Sequence, residues 1–489
     1  MDGLNDLKPR ILRQLKFALQ DLNPNIRFLA LEGVARFSDP SLAEYVQKLF
    51  HDQDKYVKWK AIQIAGVLGV ASIISELEKL LISPDVNTRL YAAQALGLTG
   101  RPDVLTPLLD LAARETAPQV RQMVVKNLNL FGGSIPWEFL GRSIQDPDLG
   151  VRLNAASTLG AIAPNEHACD ILINLLERES DNRVFATAVM SLGRFRKEIL
   201  VGYFQHSLLH REPRIRANAV EAMGCLPFRS VELLLVPYLR DPSNRVKANV
   251  MGIFLHNGMG PRVIGEVRSL MVSPNHWDRA SGAWLIGTYG VKELVPLLIA
   301  LLNDEESAVA ERAAWAIGKI KGPGLFEELL RSWGSAKQWA LPAFLSAIKR
   351  IAALKNVPTL IQILEKDKNP RTKATVIDIL SDLDALIARS AVEKFIKDPE
   401  QRIRVSALLF IAKVVGPPSN DLLFKALDDP TPRVRALCAE ALLRNGDFRA
   451  LKVLATQLTD SEKLARVQAG IGLRELSASE SHIAITPEK

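Results

Sequence analysis

The chain has 489 residues, 48% of them hydrophobic and 24% charged, and its formal net charge is +8. This composition is typical of a folded protein and excludes a wholly disordered chain, while a charge of this size does not by itself indicate nucleic-acid binding. Three widely separated cysteines, Cys169, Cys225 and Cys438, exclude a disulfide framework and a paired-cysteine metal site. We expect them to pack in or near the core of a protein from a reducing compartment.

The first residues predict a short cap segment at 1–6. Residues 1–8 (MDGLNDLK) carry two acids and no apolar run, so a signal peptide is not expected. No stretch of the chain approaches the roughly 18 apolar residues that a membrane-spanning helix needs. These features lead us to expect a soluble, cytoplasmic protein with no membrane insertion.

Residues 7–476 are predicted to form one continuous array of repeats, each about 31 residues long. The clearest copy is DPDLGVRLNAASTLG at residues 146–160, and similar segments lie at 212–224, 398–412 and 429–443. Each unit has a position that is basic in twelve of fifteen copies, which we call the basic position. Its occupants are Arg27, Lys58, Arg89, Arg121, Arg152, Phe185, Arg216, Lys247, Arg279, Ala310, Ala340, Lys373, Arg404, Arg435 and Arg466.

Each repeat is predicted to contain two helices. The first is an apolar run such as ELVPLLIALL at residues 293–302, often with a proline near its start. An Asp-Pro or Asp/Ser-rich turn then supplies the cap of a second helix, which carries Val, Ala and Leu at helical spacing and stops at a glycine. No segment alternates with a two-residue period, so no strands are expected. A single pair of helices cannot bury its apolar face, so neighbouring pairs must stack.

An acid stands six residues before the basic position in most repeats. We expect these acids and the basic residues to form a hydrogen-bonded structural ladder between adjacent repeats, because surface ion pairs alone would not require so strict a spacing. The alternative is that they are exposed caps and solvated cations. The predicted ladder residues are Asp146, Arg152, Asp241, Lys247, Asp398, Arg404, Asp429 and Arg435.

The pattern resembles the HEAT-repeat family, in particular the short-period repeats of phycobilisome-lyase-like proteins, over about residues 7–475. The resemblance implies an all-α fold, an α-α superhelix (HEAT/armadillo-type solenoid) of about fifteen two-helix repeats. It also implies a curved scaffold that binds proteins, although some relatives attach bilin chromophores or bind DNA. The chain departs from the pattern at Phe185, Ala310 and Ala340, and the unit near 322–354 is degenerate. The polar segment 477–489 is predicted to be a flexible tail.

Motifs for catalysis or metal binding are largely missing from the sequence. His206 and His210 are four residues apart on a predicted helix, a spacing that could hold a metal ion. However, Ser207 stands where a zinc protease has its glutamate, and no third ligand is evident. Packing or surface histidines are therefore favoured. We expect no catalytic residues, no metal and no cofactor, while a lyase-like activity stays open.

A candidate partner-binding surface follows from the repeat register. In a solenoid the second helices line the concave face, and the residue five after the basic position is polar in most of the early repeats, which indicates exposure. Trp284 and Trp315 occupy this position in two consecutive repeats, and exposed aromatic pairs are typical of interface hot spots. The predicted partner-binding residues are Trp284, Trp315, Arg312, Lys319, Ser281, Asn249 and Asn218. The alternative is that the two indoles belong to the core.

The favoured function is a non-enzymatic scaffold or adaptor that binds another protein on its concave surface, as part of a multiprotein assembly. The partner would be a peptide, a helix or a subunit of a complex, and the basic residues beside the tryptophans favour an acidic one. A bilin lyase-like or chaperone-like protein is one alternative. A DNA-binding protein is a weaker one, because acids and bases alternate on the same face and would interrupt a phosphate-tracking groove.

Overall fold

The computed structural model describes residues 7–134 and 137–445. The predicted cap at 1–6, the last basic position Arg466 and the predicted tail at 477–489 lie outside these residues. Within the described ranges the regular secondary structure is helical and no strand is formed. The chain divides into two units, residues 1–259 and residues 260–489.

The N-terminal unit contains eight helix pairs within the described residues. Its first helices are α1 (Leu7–Ala18), α3 (Ala43–Lys48), α5 (Ala71–Leu80), α7 (Leu105–Arg114), α9 (Trp137–Ser143), α11 (Glu166–Arg178), α13 (Val201–Leu208) and α15 (Phe228–Leu235). Its second helices are α2 (Pro24–Phe37), α4 (Lys55–Leu68), α6 (Val86–Thr99), α8 (Pro118–Asn127), α10 (Leu149–Ala161), α12 (Asn182–Gly193), α14 (Pro213–Met223) and α16 (Asn244–His256).

The C-terminal unit continues the same alternation through six further pairs in the described part of the chain. Its first helices are α17 (Gly260–Met271), α19 (Val295–Leu301), α21 (Leu325–Trp333), α23 (Val357–Lys366), α25 (Arg389–Glu393) and α27 (Asn420–Lys425). Its second helices are α18 (His276–Tyr289), α20 (Ser307–Ile320), α22 (Leu341–Ile351), α24 (Pro370–Asp382), α26 (Gln401–Phe410) and α28 (Pro432–Arg444). The prediction of an all-α array of two-helix repeats is confirmed.

The turns explain where the second helices begin. In α4, α10 and α12 the residue before the helix is an aspartate, and its carboxylate accepts hydrogen bonds from backbone N–H groups of the first turn. Asp148, for example, accepts from the N–H of Val151. These bonds satisfy donors that have no partner inside the helix, and the negative charge faces the positive end of the helix dipole. The capping acid lies four residues before the basic position and is distinct from the ladder acid, which lies six before it.

Stacking within each unit is carried mainly by the second helices. Most second helices pack against their own first helix, and each packs against the second helix of the next repeat in its unit, whereas consecutive first helices make little contact with each other. The residue before the basic position is fully buried in many repeats, as at Val120, Val151 and Val184. Burial of these branched side chains between neighbouring pairs forms one apolar core along each unit.

In seven of the described repeats an arginine at the basic position connects its repeat to the next one. Arg216 shows the arrangement: Nε and Nη2 each donate to the carboxylate of Asp241 at 2.8 Å, and Nη1 donates to the backbone carbonyls of His210 and Arg211 at 3.0 Å. The guanidinium therefore holds its own turn through carbonyl groups and the following turn through a carboxylate. The arginine–acid pairs of this kind are Arg27–Asp52, Arg89–Glu115, Arg121–Asp146, Arg152–Glu179, Arg216–Asp241, Arg279–Asp304 and Arg404–Asp429.

Three predicted ladder residues, Asp398, Arg435 and Lys247, lie at the expected repeat positions and are not part of the arginine–acid pairs just named. The Asp398 carboxylate accepts from the N–H of Glu400, and the Asp398 carbonyl accepts from Arg404. Arg435 donates to the carbonyls of its own turn, and the acid in the pairing position of the next repeat, Asp460, lies outside the described residues. Lys247 is half-buried.

The recurrent glycine of the second helix has a different role from the predicted stop. Gly287 lies inside α18, which continues to Tyr289, and a Cβ added at Gly287 would lie 2.6 Å from the Cα of Ala316 on α20. The helix ends at Gly290, whose φ of 69° is the left-handed conformation that glycine adopts freely. The glycine of the repeat therefore allows adjacent second helices to approach closely, and the prediction that it terminates them was wrong at this position.

Candidate protein-interaction surface

The second helices of the C-terminal unit share one side, which we call the second-helix surface; most of its residues are half-buried or exposed, whereas Leu345 and Ser406 are buried. It is formed by residues two, five and nine after the basic position. On α18 these include Ser281 and Trp284, and on α20 they include Arg312, Trp315 and Lys319. Residues three and four apart lie on one face of a helix, and the sequence prediction of a shared face therefore agrees with the helices that form.

Trp315 lies between two cations on this surface. The Arg312 guanidinium is 5.6 Å and the Lys319 ammonium 5.8 Å from the centroid of the indole ring. Both cations are exposed, whereas the indole is half-buried. Its six-membered ring is also next to Gly287 on α18, because a Cβ added there would lie 2.9 Å from Cζ3. The ring thus lies near two cations of its own helix and close to the neighbouring helix, while part of it stays accessible.

Trp284 occupies the same register position on α18 and is also half-buried. Its ring meets the ring of Tyr289 edge to face, with centroids 6.1 Å apart and planes at 87°. Burial raises the pKa of the Tyr289 phenol, so this side chain is neutral at physiological pH. The two indoles therefore belong neither to the closed core nor to the fully exposed surface. Trp277 and Trp339, at 62% and 55% exposure, are more accessible than either.

The predicted asparagines have a structural role that differs from the prediction. Asn218 is only 6% exposed, and its amide donates to the carbonyl of Ala186 on the preceding second helix at 2.7 Å. Asn249 donates in the same way to the carbonyl of Ala217 at 3.3 Å, and also to Glu221 at 2.7 Å. Both lie in the N-terminal unit. Asn218 is buried and Asn249 is half-buried, and their role as binding residues stays a prediction.

A cavity of about 570 Å³ continues the second-helix surface across α22, α24, α26 and α28. Asp378 on α24 lies half-buried in it and accepts a hydrogen bond from the hydroxyl of Ser406 on α26. Burial raises the pKa of the Asp378 carboxyl, against the smaller opposing effects of Ser406, Lys349 and Arg402. The sequence register placed Asp378 on the exposed column, but gave no indication that a cavity surrounds it.

Both lysines that line this cavity are paired with acids. Lys349 lies 3.1 Å from a carboxylate oxygen of Asp382. Lys413 lies 3.2 Å from Asp384 and donates to the carbonyl of Ser381 at 2.8 Å. The cavity therefore has charged walls that are largely neutralised by each other, and Leu409 contributes an apolar patch that is 40% exposed.

The N-terminal unit carries an aromatic cluster that the sequence reasoning missed. The indole of Trp59 donates to the Asp85 carboxylate at 2.9 Å and lies 5.7 Å from Tyr56 and 6.1 Å from Tyr91, centroid to centroid. The ammonium of Lys55 is 5.1 Å from the Tyr56 ring centroid. Hydrogen bonds from Thr88, Trp59 and the backbone outweigh the effect of burial and lower the pKa of Asp85 to about 2. The available signal was the run KYVKWK at residues 55–60.

The groups that could support catalysis or metal binding are dispersed in the described ranges. No set of three His, Cys, Asp or Glu residues there lies close enough together to hold a metal ion. His210 Nδ1 accepts from the N–H of Glu212, and its ring stacks on Phe185 at 5.8 Å. Cys169 and Cys438 are buried, whereas Cys225 is exposed, so the prediction that it packs in or near the core was wrong. Burial raises the pKa of Cys438 to about 12, which keeps it a thiol.

None of the described helices is both long and apolar enough to cross a membrane.

Comparisons with known proteins concern the repeat and the fold. The sequence model of HEAT repeats matches residues 42–129, 118–193, 266–349 and 388–474, together more than half of the chain. A search of curated proteins finds no match. Among solved structures, Kap95p in a study of its binding to RanGDP is 13% identical, with 96% of this chain and 77% of that chain covered and a TM-score of 0.48.

Two further structures show the same low identity. Importin beta is 14% identical over 96% of this chain and 78% of its own, with a TM-score of 0.46. The CpcE–CpcF complex of phycocyanin lyase from Nostoc sp. PCC7120 is 16% identical over 50% of this chain and 93% of the other, with a TM-score of 0.30. Identities of this order carry no function from one chain to another.

Proposed function

Because this chain belongs to the HEAT-repeat family, we propose that it is a non-enzymatic scaffold that binds a segment of another protein on the second-helix surface of its C-terminal unit. The observation that supports this most directly is the half-buried Trp315 held between exposed Arg312 and Lys319. Since consecutive second helices pack more extensively than consecutive first helices, we expect the second helices to line the concave side of the unit.

The two indoles are suited to act as anchors. A tryptophan offers a large apolar area and has few rotatable bonds, so its ordering on binding costs little entropy. Trp315 is already restrained by its two cations and by the close approach of Gly287. An ordered and partly exposed ring is the usual character of an interface hot spot. Trp284 is on the neighbouring helix in the same register, so one partner segment can contact both rings.

The flanking cations determine the kind of partner. The charged ends of Arg312 and Lys319 lie at the edge of the binding surface and are open to solvent. Acidic side chains of the partner would pair with them, and an apolar residue between those acids would lie on the indole. Such rim pairs mainly raise the association rate and fix the orientation of the partner, and their effect falls as salt rises.

The test compares the double variant Trp284→Ala/Trp315→Ala with the wild-type chain. Proteins from the native host are captured on each chain and identified by mass spectrometry, and the affinity of a purified partner is then measured by calorimetry. Each indole at a true hot spot should cost about 2 kcal/mol or more, or roughly thirtyfold in Kd. Circular dichroism and the melting temperature should stay nearly unchanged.

Trp339→Ala provides the matched control. This indole is 55% exposed and also faces a cation, with the Lys337 ammonium 4.6 Å from its ring, but it lies outside the second-helix surface. Its removal should leave partner affinity unchanged. Equal affinities for wild type and the double variant would place the binding site elsewhere, and unfolding of the double variant would show that the indoles are required for the core.

A further inference from the structure

The cavity around Asp378 contains a carboxylate whose charge is only partly compensated. Ser406 donates to it, but no salt bridge to Asp378 is formed within residues 7–134 and 137–445. The nearby Lys349 is paired with Asp382 at 3.1 Å, and Lys413 on the opposite wall is paired with Asp384 at 3.2 Å. Asp378 therefore lies in a cavity whose cations already have other anionic partners.

One lining acid, Asp378, makes no salt bridge within the described residues, although Lys349 and Arg402 lie near it. The volume of about 570 Å³ falls within the roughly 300–1,000 Å³ that is common for ligand pockets. A half-buried carboxylate is stabilised strongly when a cation enters its low-dielectric surroundings, because the attraction is screened less there than in water. A basic group fits the chemistry of this cavity better than an acidic or an apolar one.

We propose that the cavity binds a lysine or arginine side chain of the same protein segment that docks on Trp284 and Trp315, with Asp378 as its counter-ion. This inference rests on the proposed function and adds to it the charge pattern of the partner. The basic side chain would pair with the Asp378 carboxylate, and its aliphatic stem would lie against Leu409.

The repeat spacing sets the distance between the two kinds of charge on the partner. Trp315 lies on α20 and Asp378 on α24, two second helices further along the same unit. Packed helices are about 8–10 Å apart, so the two sites are separated by on the order of 20 Å. An extended peptide rises about 3.3 Å per residue, which gives about six residues between the acidic and the basic positions. In a helical segment the same distance would correspond to about thirteen residues.

The binding should depend on pH in a defined direction. The groups that face Asp378 are Lys349 from α22, Asp382 from α24 itself, and Arg402 and Ser406 from α26. Their combined effect together with burial leaves the pKa of Asp378 above its ordinary value. A cationic partner binds the ionised form, so the affinity should rise as the pH increases through this pKa. A peptide without the basic residue should show no such rise.

The experiment selects peptides from a phage-displayed library of random 24-residue sequences, long enough to span the sites as a strand or as a helix, on the full chain and on Asp378→Asn, with Glu365→Gln as control. Glu365 is an exposed acid on first helix α23, paired with Lys394. Wild type and the control should enrich peptides that combine acidic and basic residues. Asp378→Asn should lose the basic preference and keep the acidic one, while the charge-retaining Asp378→Glu variant should keep both.

A binding cycle gives the quantitative result. One selected peptide and its variant with the basic residue changed to Gln are measured by fluorescence polarisation on wild type and on Asp378→Asn. The change should weaken binding at least tenfold on wild type and less than threefold on Asp378→Asn. Equal losses on both chains would overturn the inference. If Trp284→Ala/Trp315→Ala abolishes binding while Asp378→Asn has no effect, only this inference fails. If wild type enriches no peptide, the proposed function fails with it.

Discussion

Replacement of one ladder arginine tests whether the repeated ion pairs stabilise the array. Arg216→Ala removes four hydrogen bonds at once, two to the Asp241 carboxylate at 2.8 Å and two to backbone carbonyls at 3.0 Å. The side chain of Asp241 is only 5% exposed and that of Arg216 only 12%. The variant therefore leaves a buried carboxylate without its cation.

The size of the effect follows from this burial. Breaking a buried ion pair by removing one partner costs about 3–5 kcal/mol, because the remaining charge stays desolvated. Asp241 keeps one hydrogen bond, from the N–H of Ser243 at 2.8 Å, and water can enter the space left by the guanidinium. We therefore expect Arg216→Ala to lower the free energy of unfolding of the surrounding repeats by about 2–4 kcal/mol.

Urea denaturation followed by circular dichroism measures this change, and amide exchange shows whether it is local to the repeats on either side. The control is Arg101→Ala, which breaks an ion pair with Asp103 whose side chains are 46% and 57% exposed. An exposed pair is screened by solvent, so its loss should change the urea midpoint little. The double variant Arg216→Ala/Asp241→Asn should recover part of the loss, since the unpaired charge is then absent. Equal small effects at both arginines would refute the ladder.

Three further predictions address acid stability, close packing and local opening. Burial raises the pKa of Asp146, but hydrogen bonds from Arg121 and the backbone outweigh this effect, so the pKa in the folded chain is lowered. The carboxylate therefore stabilises the fold above about pH 4, and this stabilisation is lost as the pH falls through the lowered pKa. When the urea midpoint is measured against pH, Arg121→Ala should lose less stability in acid than the wild type. Gly287→Ala should destabilise by about 1–3 kcal/mol in thermal melts, whereas Gly265→Ala, with no atom within 4 Å of the added Cβ, should stabilise by up to about 1 kcal/mol. Amide exchange should be faster at residues 334–350, whose repeat has Ala340 at the basic position, than in repeats with a ladder arginine; uniform protection would contradict this.

The fold could be predicted from the sequence because its information is local and repeated. The Val-Arg pair, the Asp-Pro turn and the Ala-Leu spacing recur about every 31 residues, so each copy supports the reading of the others. Which of two acids each arginine pairs with could not be predicted in the same way. Several of the arginines, such as Arg121 and Arg152, have one acid six residues before them and another about 25 residues after them, and in a regular repeat both spacings are constant. The structure shows that the later acid, as in Arg152–Glu179, is the one bound.

The role of the recurrent glycine illustrates a second limit. A glycine near the end of a helical pattern indicates a C-terminal stop, and Gly290 is one. Gly287, three residues earlier, has the same local signature but is required because α20 approaches it closely. The distance between two helices depends on side chains about thirty residues apart. A reading of one helix at a time therefore cannot distinguish a stop from a contact.

The interaction surface is harder to predict because one register position can have opposite roles. Two residues after the basic position, Asn218 is buried and bonds the preceding helix, whereas Arg312 is exposed and faces an indole. The repeat that carries Arg312 and Trp315 also has Ala310, buried at 4% exposure, at the basic position. It therefore departs from the structural pattern at the basic position while it presents a cation–aromatic cluster to solvent. In repeats that follow the consensus, packing between repeats explains the residues at these positions. We therefore expect the binding function in repeats that depart from the consensus, such as the one with Ala310.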